Sequence, residues 1–147
     1  MIHRTWLAAI YPWAGEYHTV NIGKSGFQFA AAMQVPTLMD TFERDLLSRW
    51  TPCRPDSQQG VAQALAIVHA ELVIIRPFRE GNGRCARVLA LLMALQAGLP
   101  PLNFSALAGR TRGNYILAIH AAVSQNYEPM TEFFEGVISR TLHAYEK

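Results

Sequence analysis

Twelve consecutive residues carry most of the chemistry this sequence offers: Arg76-Pro77-Phe78-Arg79-Glu80-Gly81-Asn82-Gly83-Arg84-Cys85-Ala86-Arg87. Gly81 and Gly83 allow backbone conformations that a side chain would forbid. They also let successive N–H groups turn inward as an anion nest. A helix is expected from about Arg84, so its positive N-terminal end faces the same spot. Arg84 and Arg87, three apart, share one face of that helix and can fork onto a phosphate. Asn82 reads as a phosphate contact or as an amide bracing the loop. Glu80 offers one hard oxygen ligand, enough to share Mg²⁺ with a nucleotide's phosphates, or it pairs with Arg84 or Arg87. The combination points to a polyphosphate and Mg²⁺ site at a helix N-terminus.

Two apolar helical runs, Val61 to Ile75 and Val88 to Leu95, hold this loop between them. Before them, Trp6, Leu7, Ile10 and Tyr11 form a short helical stripe within residues 2–11, ended by Pro12. Trp13 to Glu16 reads as a turn. Tyr17 to Ile22 and Phe27 to Phe29 favour strand, with Gly23-Lys24-Ser25-Gly26 as the hairpin turn between them. Val35, Leu38, Met39, Phe42, Leu46 and Trp50 mark an amphipathic helix over about 36–50. Thr51 to Ser57 is a loop, and 58–75 is a helix apolar on most sides. Helix 84–97 is stopped by Gly98 and Pro100. A loop or short helix covers 102–107, and helices follow at 115–124 and 130–142. The total is an all-α bundle with one small β-hairpin near the N-terminus.

The loop sequence resembles the signature of the Fic (filamentation-induced-by-cAMP) family, written H-P-F-x-[DE]-G-N-G-R-x-x-R. Every fixed position but the first matches. Upstream, Tyr11 to Ile22 resembles the family's Y-x-W-A-G-x-x-R-x-x-x-I, which precedes a β-hairpin flap. The resemblance implies a Fic-type helical bundle that moves AMP from ATP, or from a related phosphate-bearing nucleotide, onto a hydroxyl of a target protein. It implies that Gly81, Asn82, Gly83, Arg84 and Arg87 hold the donor's phosphates, that Glu80 holds Mg²⁺, and that Lys24, Ser25, Gly26 and Phe27 on the flap dock the target. Lys24 and Phe27 also read as ordinary hairpin surface.

There are two departures. Arg76 stands where the family has the histidine that serves as general base, and His18 stands where it has an arginine. A guanidinium keeps its proton and cannot act as a base. The expectation is therefore an impaired AMP transferase. The alternative is an inactive nucleotide-binding pseudoenzyme working as a regulatory or interaction module.

Thr131-Glu132-Phe133-Phe134-Glu135-Gly136 matches the family's inhibitory pattern [ST]-x-x-x-E-[GN], in which the glutamate pairs with the second signature arginine, here Arg87. Its phenylalanines have core spacing, so the match is read as chance, which leaves room for a separate inhibitor protein. His69 lies two helical turns before Arg76, about 10 Å along the axis, too far to replace its base. It is read as a core histidine.

Composition sets the remaining bounds. With 147 residues, half of them apolar, the chain is expected to be a single domain spanning 1–147. Thirteen Lys and Arg against eleven Asp and Glu give a net charge of +2, which excludes a strongly basic nucleic-acid face. Cys53 and Cys85 have no metal or redox spacing and fit a reducing, cytoplasmic setting. Cys85 is read as a small residue tolerated between arginines. Gly23-Lys24-Ser25 is no P-loop, because the motif's first glycine position is His18. The apolar runs are read as too short for a membrane span.

Overall fold

The computed structural model describes residues 1–107, 109 and 111–146. Lys147, at the end of the expected domain, lies outside them. The architecture is a helical bundle with a two-stranded antiparallel hairpin. The helices are α1 (Ile2–Leu7), α2 (Val35–Thr41), α3 (Ser48–Trp50), α4 (Gln58–Ile75), α5 (Asn82–Gln96), α6 (Thr111–Val123) and α7 (Glu128–Tyr145). The strands are β1 (Gly23–Lys24) and β2 (Phe27–Gln28).

α4 is the central element. Ser57 caps its start, the hydroxyl accepting from the Gly60 N–H at 3.0 Å. Leu65, Ala62, Ala64, Ala66 and Ala70 along it are wholly buried, and α7, α5 and α6 pack around it. Burying a Leu or Val side chain is favourable by about 1.5–3 kcal/mol. By length and hydropathy α4 could span a membrane, which corrects the expectation that every apolar run is too short. Its place at the centre of the core accounts for that apolarity.

Several boundaries depart from the sequence reading. The helix expected at 36–50 begins as a 3₁₀ turn at Ala32–Gln34 and widens to a π-helical stretch over Phe42–Leu47 between α2 and α3. Thr111 and Glu128, not 115 and 130, start the last two helices. Tyr17 to Ile22 forms no strand. His18 instead bonds across to the signature loop, its N–H donating to the Pro77 carbonyl at 2.9 Å. The hairpin is correspondingly short: Lys24 pairs with Phe27, and Ser25 and Gly26 both take positive φ, 52° and 78°. That is the mirror-image turn whose twist matches paired strands.

Candidate functional site at the start of α5

The site lies where α4 ends and α5 begins. Arg76 closes α4 in the left-handed conformation, φ 47°, and Pro77 then prevents the helix from continuing. The chain turns at Gly81, φ 80°, and enters α5 at Asn82, two residues earlier than expected. A Cβ at Gly81 would meet Trp6 at 3.0 Å and Leu7 at 3.2 Å, so glycine is required there twice over.

Gly83 differs from this expectation. It sits inside the first turn of α5 without a positive φ, so its conformation needs no glycine. A Cβ there would meet nothing within 4 Å. What Gly83 provides is open space over the helix start. Among the described residues, the N–H groups of Asn82, Gly83 and Arg84 have no backbone acceptor, and the first in the helix to find one is Cys85, on the Gly81 carbonyl at 2.8 Å. Three donors thus face that space, as expected of a helix N-terminus.

The Asn82 side chain braces the loop. It is buried, accepting from the Phe78 N–H at 2.8 Å and donating to the Phe78 carbonyl at 2.7 Å. An anion would meet its backbone N–H. Arg84 is exposed, its guanidinium 4.8 Å from the Trp6 ring, and Arg87 is half-buried on the same face. Both border a groove of about 360 Å³ with Trp6, Val88, Leu91 and Phe104. Among the described residues the one ion pair joins Arg44 and Asp45, so no carboxylate neutralises Arg84 or Arg87. Glu80 is exposed and pairs with neither. Arg79 leans on the Trp13 ring at 5.3 Å.

Below the loop stands His3, to which the sequence reading gave no role. It is wholly buried and stacked on Phe78, with ring centroids 3.7 Å apart. Its Nδ1 accepts from the Gly15 N–H at 2.9 Å, so Nε2–H donates to the Glu80 carbonyl at 2.9 Å. One imidazole therefore ties the Trp13–Gly15 turn to the loop. No spacing signal could reveal this, since both its partners are backbone groups and one lies 77 residues away.

The hairpin residues Lys24, Ser25 and Gly26 are exposed, while Phe27 is half-buried against Phe29 and His120. The Arg76 guanidinium lies 4.7 Å from the Phe29 ring, so the signature loop and the exit of the hairpin touch. Residues 76 and 81–87 and the hairpin are thus brought to one end of the bundle.

His69 is a core histidine as expected. Its Nε2 is 2.8 Å from the Tyr115 hydroxyl, and burial lowers its pKa to about 4. Burial raises the Cys85 thiol, so the first turn of α5 holds no activated thiolate. Phe134, Val137 and Ile138 are wholly buried and α7 packs on α4 and α6. Within 131–136, Phe134 is anchored in the core, Thr131, Phe133, Glu135 and Gly136 are half-buried, and Glu132 is exposed.

The model of the Fic/DOC family matches residues 1–94. Protein adenylyltransferase Fic of Nematostella vectensis is 30% identical over 145 residues, which is 98% of this chain and 32% of that protein. The Drosophila ananassae protein of the same name is 27% identical over 145 residues, covering 98% of this chain and 28% of its own length. Two solved structures have the same fold. BepC, a VirB-translocated effector of Bartonella tribocorum with bound AMPPNP, superposes with a TM-score of 0.76 at 24% identity, over 92% of this chain and 70% of that one. An N-terminal Fic domain from Bartonella quintana with bound ADP gives 0.76 at 25% identity, over 92% and 69%. The chain spans about a third of the length of these two adenylyltransferase relatives. With almost two thirds of its residues matched by the family model and a fold shared along nearly its whole length, this chain belongs to the Fic/DOC family.

Proposed function

We propose that residues 1–147 form one nucleotidyl-transfer unit that binds ATP with Mg²⁺ over the start of α5 and moves AMP to a hydroxyl of a target protein. The observation that carries this reading is the open N-terminus of α5. Three N–H donors, the space left by Gly83 and the unneutralised Arg84 and Arg87 converge there. Such an arrangement suits a polyphosphate and stabilises charge as it shifts between phosphates. Relatives named protein adenylyltransferase, and Fic structures holding AMPPNP or ADP, support ATP as the donor.

Glu80 would hold the metal. Its carboxylate is exposed and unpaired among the described residues, and no cluster of three metal-ligating side chains stands there. That fits an ion taking one protein oxygen and the rest from phosphates and water. Bound there, Mg²⁺ would neutralise phosphate charge. The target would lie along the hairpin, at Lys24, Ser25, Gly26 and Phe27. With Thr131–Gly136 inside α7, an inhibitor would act as a separate protein.

Arg76 occupies the position of the proton acceptor, so transfer is slower than with histidine there. Loss of a positioned base costs about 10²–10⁴ in rate. The second reading, a pseudoenzyme that binds nucleotide without transfer, is favoured by Arg76, whose guanidinium, 4.7 Å from the Phe29 ring, brings a cation and no proton acceptor to this end of the bundle.

Calorimetry with ATP and Mg²⁺ tests the shared part. The parent should bind, Gly83→Val and Arg84→Ala should lose most affinity, and Glu80→Ala should lose the Mg²⁺-dependent part. Equal binding by all four would remove the nucleotide reading. Transfer of labelled AMP by parent and Arg76→His then separates transferase from pseudoenzyme.

A further inference from the structure

Three buried side-chain atoms lack a hydrogen-bond partner among the described residues: His18 Nε2, Arg76 Nε and His69 Nδ1. His69 belongs to the core between α4 and α6. The other two belong to segments joined at the signature loop, since the His18 N–H donates to the carbonyl of Pro77, the residue after Arg76.

His18 is 3% exposed. Its Nδ1–H donates to the Val20 carbonyl at 2.6 Å, so in the neutral ring the lone pair lies on Nε2. A buried acceptor without a donor is costly, by about 1–3 kcal/mol, and buried polar atoms are rarely left so. Here the orphan is an imidazole lone pair whose other nitrogen is already anchored on a carbonyl. That is the state in which a histidine takes a proton: the anchor holds the ring's orientation and stabilises the imidazolium that forms. Arg76, by contrast, offers only N–H groups.

We propose that His18 Nε2 is the proton acceptor of this chain, in place of the residue at 76. The inference rests on the AMP-transfer reading above. The target's hydroxyl would donate to Nε2 and satisfy the orphan. As the hydroxyl oxygen bonds to the α-phosphorus of ATP, the bond from that phosphorus to the bridging oxygen of the β-phosphate breaks. Pyrophosphate leaves with the electron pair, and the hydroxyl proton passes to Nε2. The imidazolium then returns it to water. Against the family pattern, His18 and Arg76 are an exchanged pair on two abutting segments, which keeps one imidazole and one guanidinium at this corner. Nε2 is shielded from water in the free protein, so the docked target must reach it as the hairpin segment yields. Slow transfer follows from that shielding.

The test compares four chains: parent, His18→Gln, Arg76→His and the double exchange His18→Arg with Arg76→His. α-Labelled ATP with Mg²⁺ is the probe. Readouts are label on the protein and pyrophosphate release, with calorimetry of ATP and a melting curve for each chain. The expected result is a slow parent, at least tenfold loss in His18→Gln with ATP affinity unchanged, and recovery in the double exchange. A His18→Gln rate equal to the parent's would overturn the proposal. If Arg76→His alone transfers and the parent does not, His18 is no base while the AMP-transfer reading stands. If all four bind ATP and none releases pyrophosphate, both fall.

Discussion

The signature loop and the hairpin stand side by side at one end of the bundle, yet they are built on opposite terms. The loop is fixed from every side. Gly81 fits under Trp6 and Leu7, Asn82 holds both polar groups of the Phe78 backbone, and His3 ties the Glu80 carbonyl to the Gly15 turn. The hairpin has two residues per strand, five of its six residues from 23 to 28 are exposed, and it rests on Phe27 and the Phe29–Arg76 contact. Under the proposed function the difference suits them to different work. Phosphate binding needs donors fixed before the ligand arrives, because reorganising them would use up the binding energy. Holding a segment of another protein by strand addition needs an edge that can adapt.

Gly81→Val should break the rigid side of this contrast outright. It forces a β-branched residue to positive φ and into the Trp6 and Leu7 side chains, and strain and overpacking together should cost about 4 kcal/mol. Urea unfolding would read it, and a stability equal to the parent's would mean that the loop is looser than its geometry. Next comes His69, in the core just below. Its native pKa is about 4 and its unfolded value near 6.5. The unfolded chain therefore takes up the proton first. Stability contributed by the neutral, buried ring is complete above pH 6.5, falls as pH drops toward 4, and changes little below that. The loss should amount to about 3 kcal/mol, and His69→Gln should flatten that limb of the pH–stability curve.

Asn82→Ala leaves two buried backbone groups of Phe78 unpaired, so a loss of about 2 kcal/mol or more is expected in the same assay. Phe27→Ala should cost about 1 kcal/mol at most, since it removes only aromatic edges from a half-buried ring. A larger loss would show that the hairpin belongs to the rigid body of the fold. Gly83→Ala sharpens the contrast furthest. As a helix substitution into open space it should stabilise by about 0.5–1 kcal/mol, while its methyl intrudes on the anion space and weakens ATP binding. Opposite signs in the two measurements would separate the cradle from the scaffold within a single turn of helix.

How much of this was legible in the sequence follows the same division. The loop, α4 and the bundle could be read because periodic apolar residues and closely spaced glycines are local signals. What each glycine does could not be read, since Gly81 and Gly83 look alike until the neighbours of each are known. Tyr17 to Ile22 has strand composition, yet its first ladder partner is the Pro77 carbonyl in place of a hairpin strand, a long-range contact that overrides propensity. The π-helical stretch at Phe42–Leu47 left no mark, since its residues suit an ordinary helix equally well. His3 and Asn82 act on backbone groups, which every sequence possesses.

The placement of His3 has a practical consequence for anyone expressing this protein. A variant lacking residues 1–7 of this sequence would keep almost the same mass and nearly the same helix content. It would lack the one side chain that joins the Gly15 turn to the Glu80 carbonyl, and the α1 residues that roof Gly81. Any segment joined ahead of Met1 must leave Ile2–Leu7 free to form its helix.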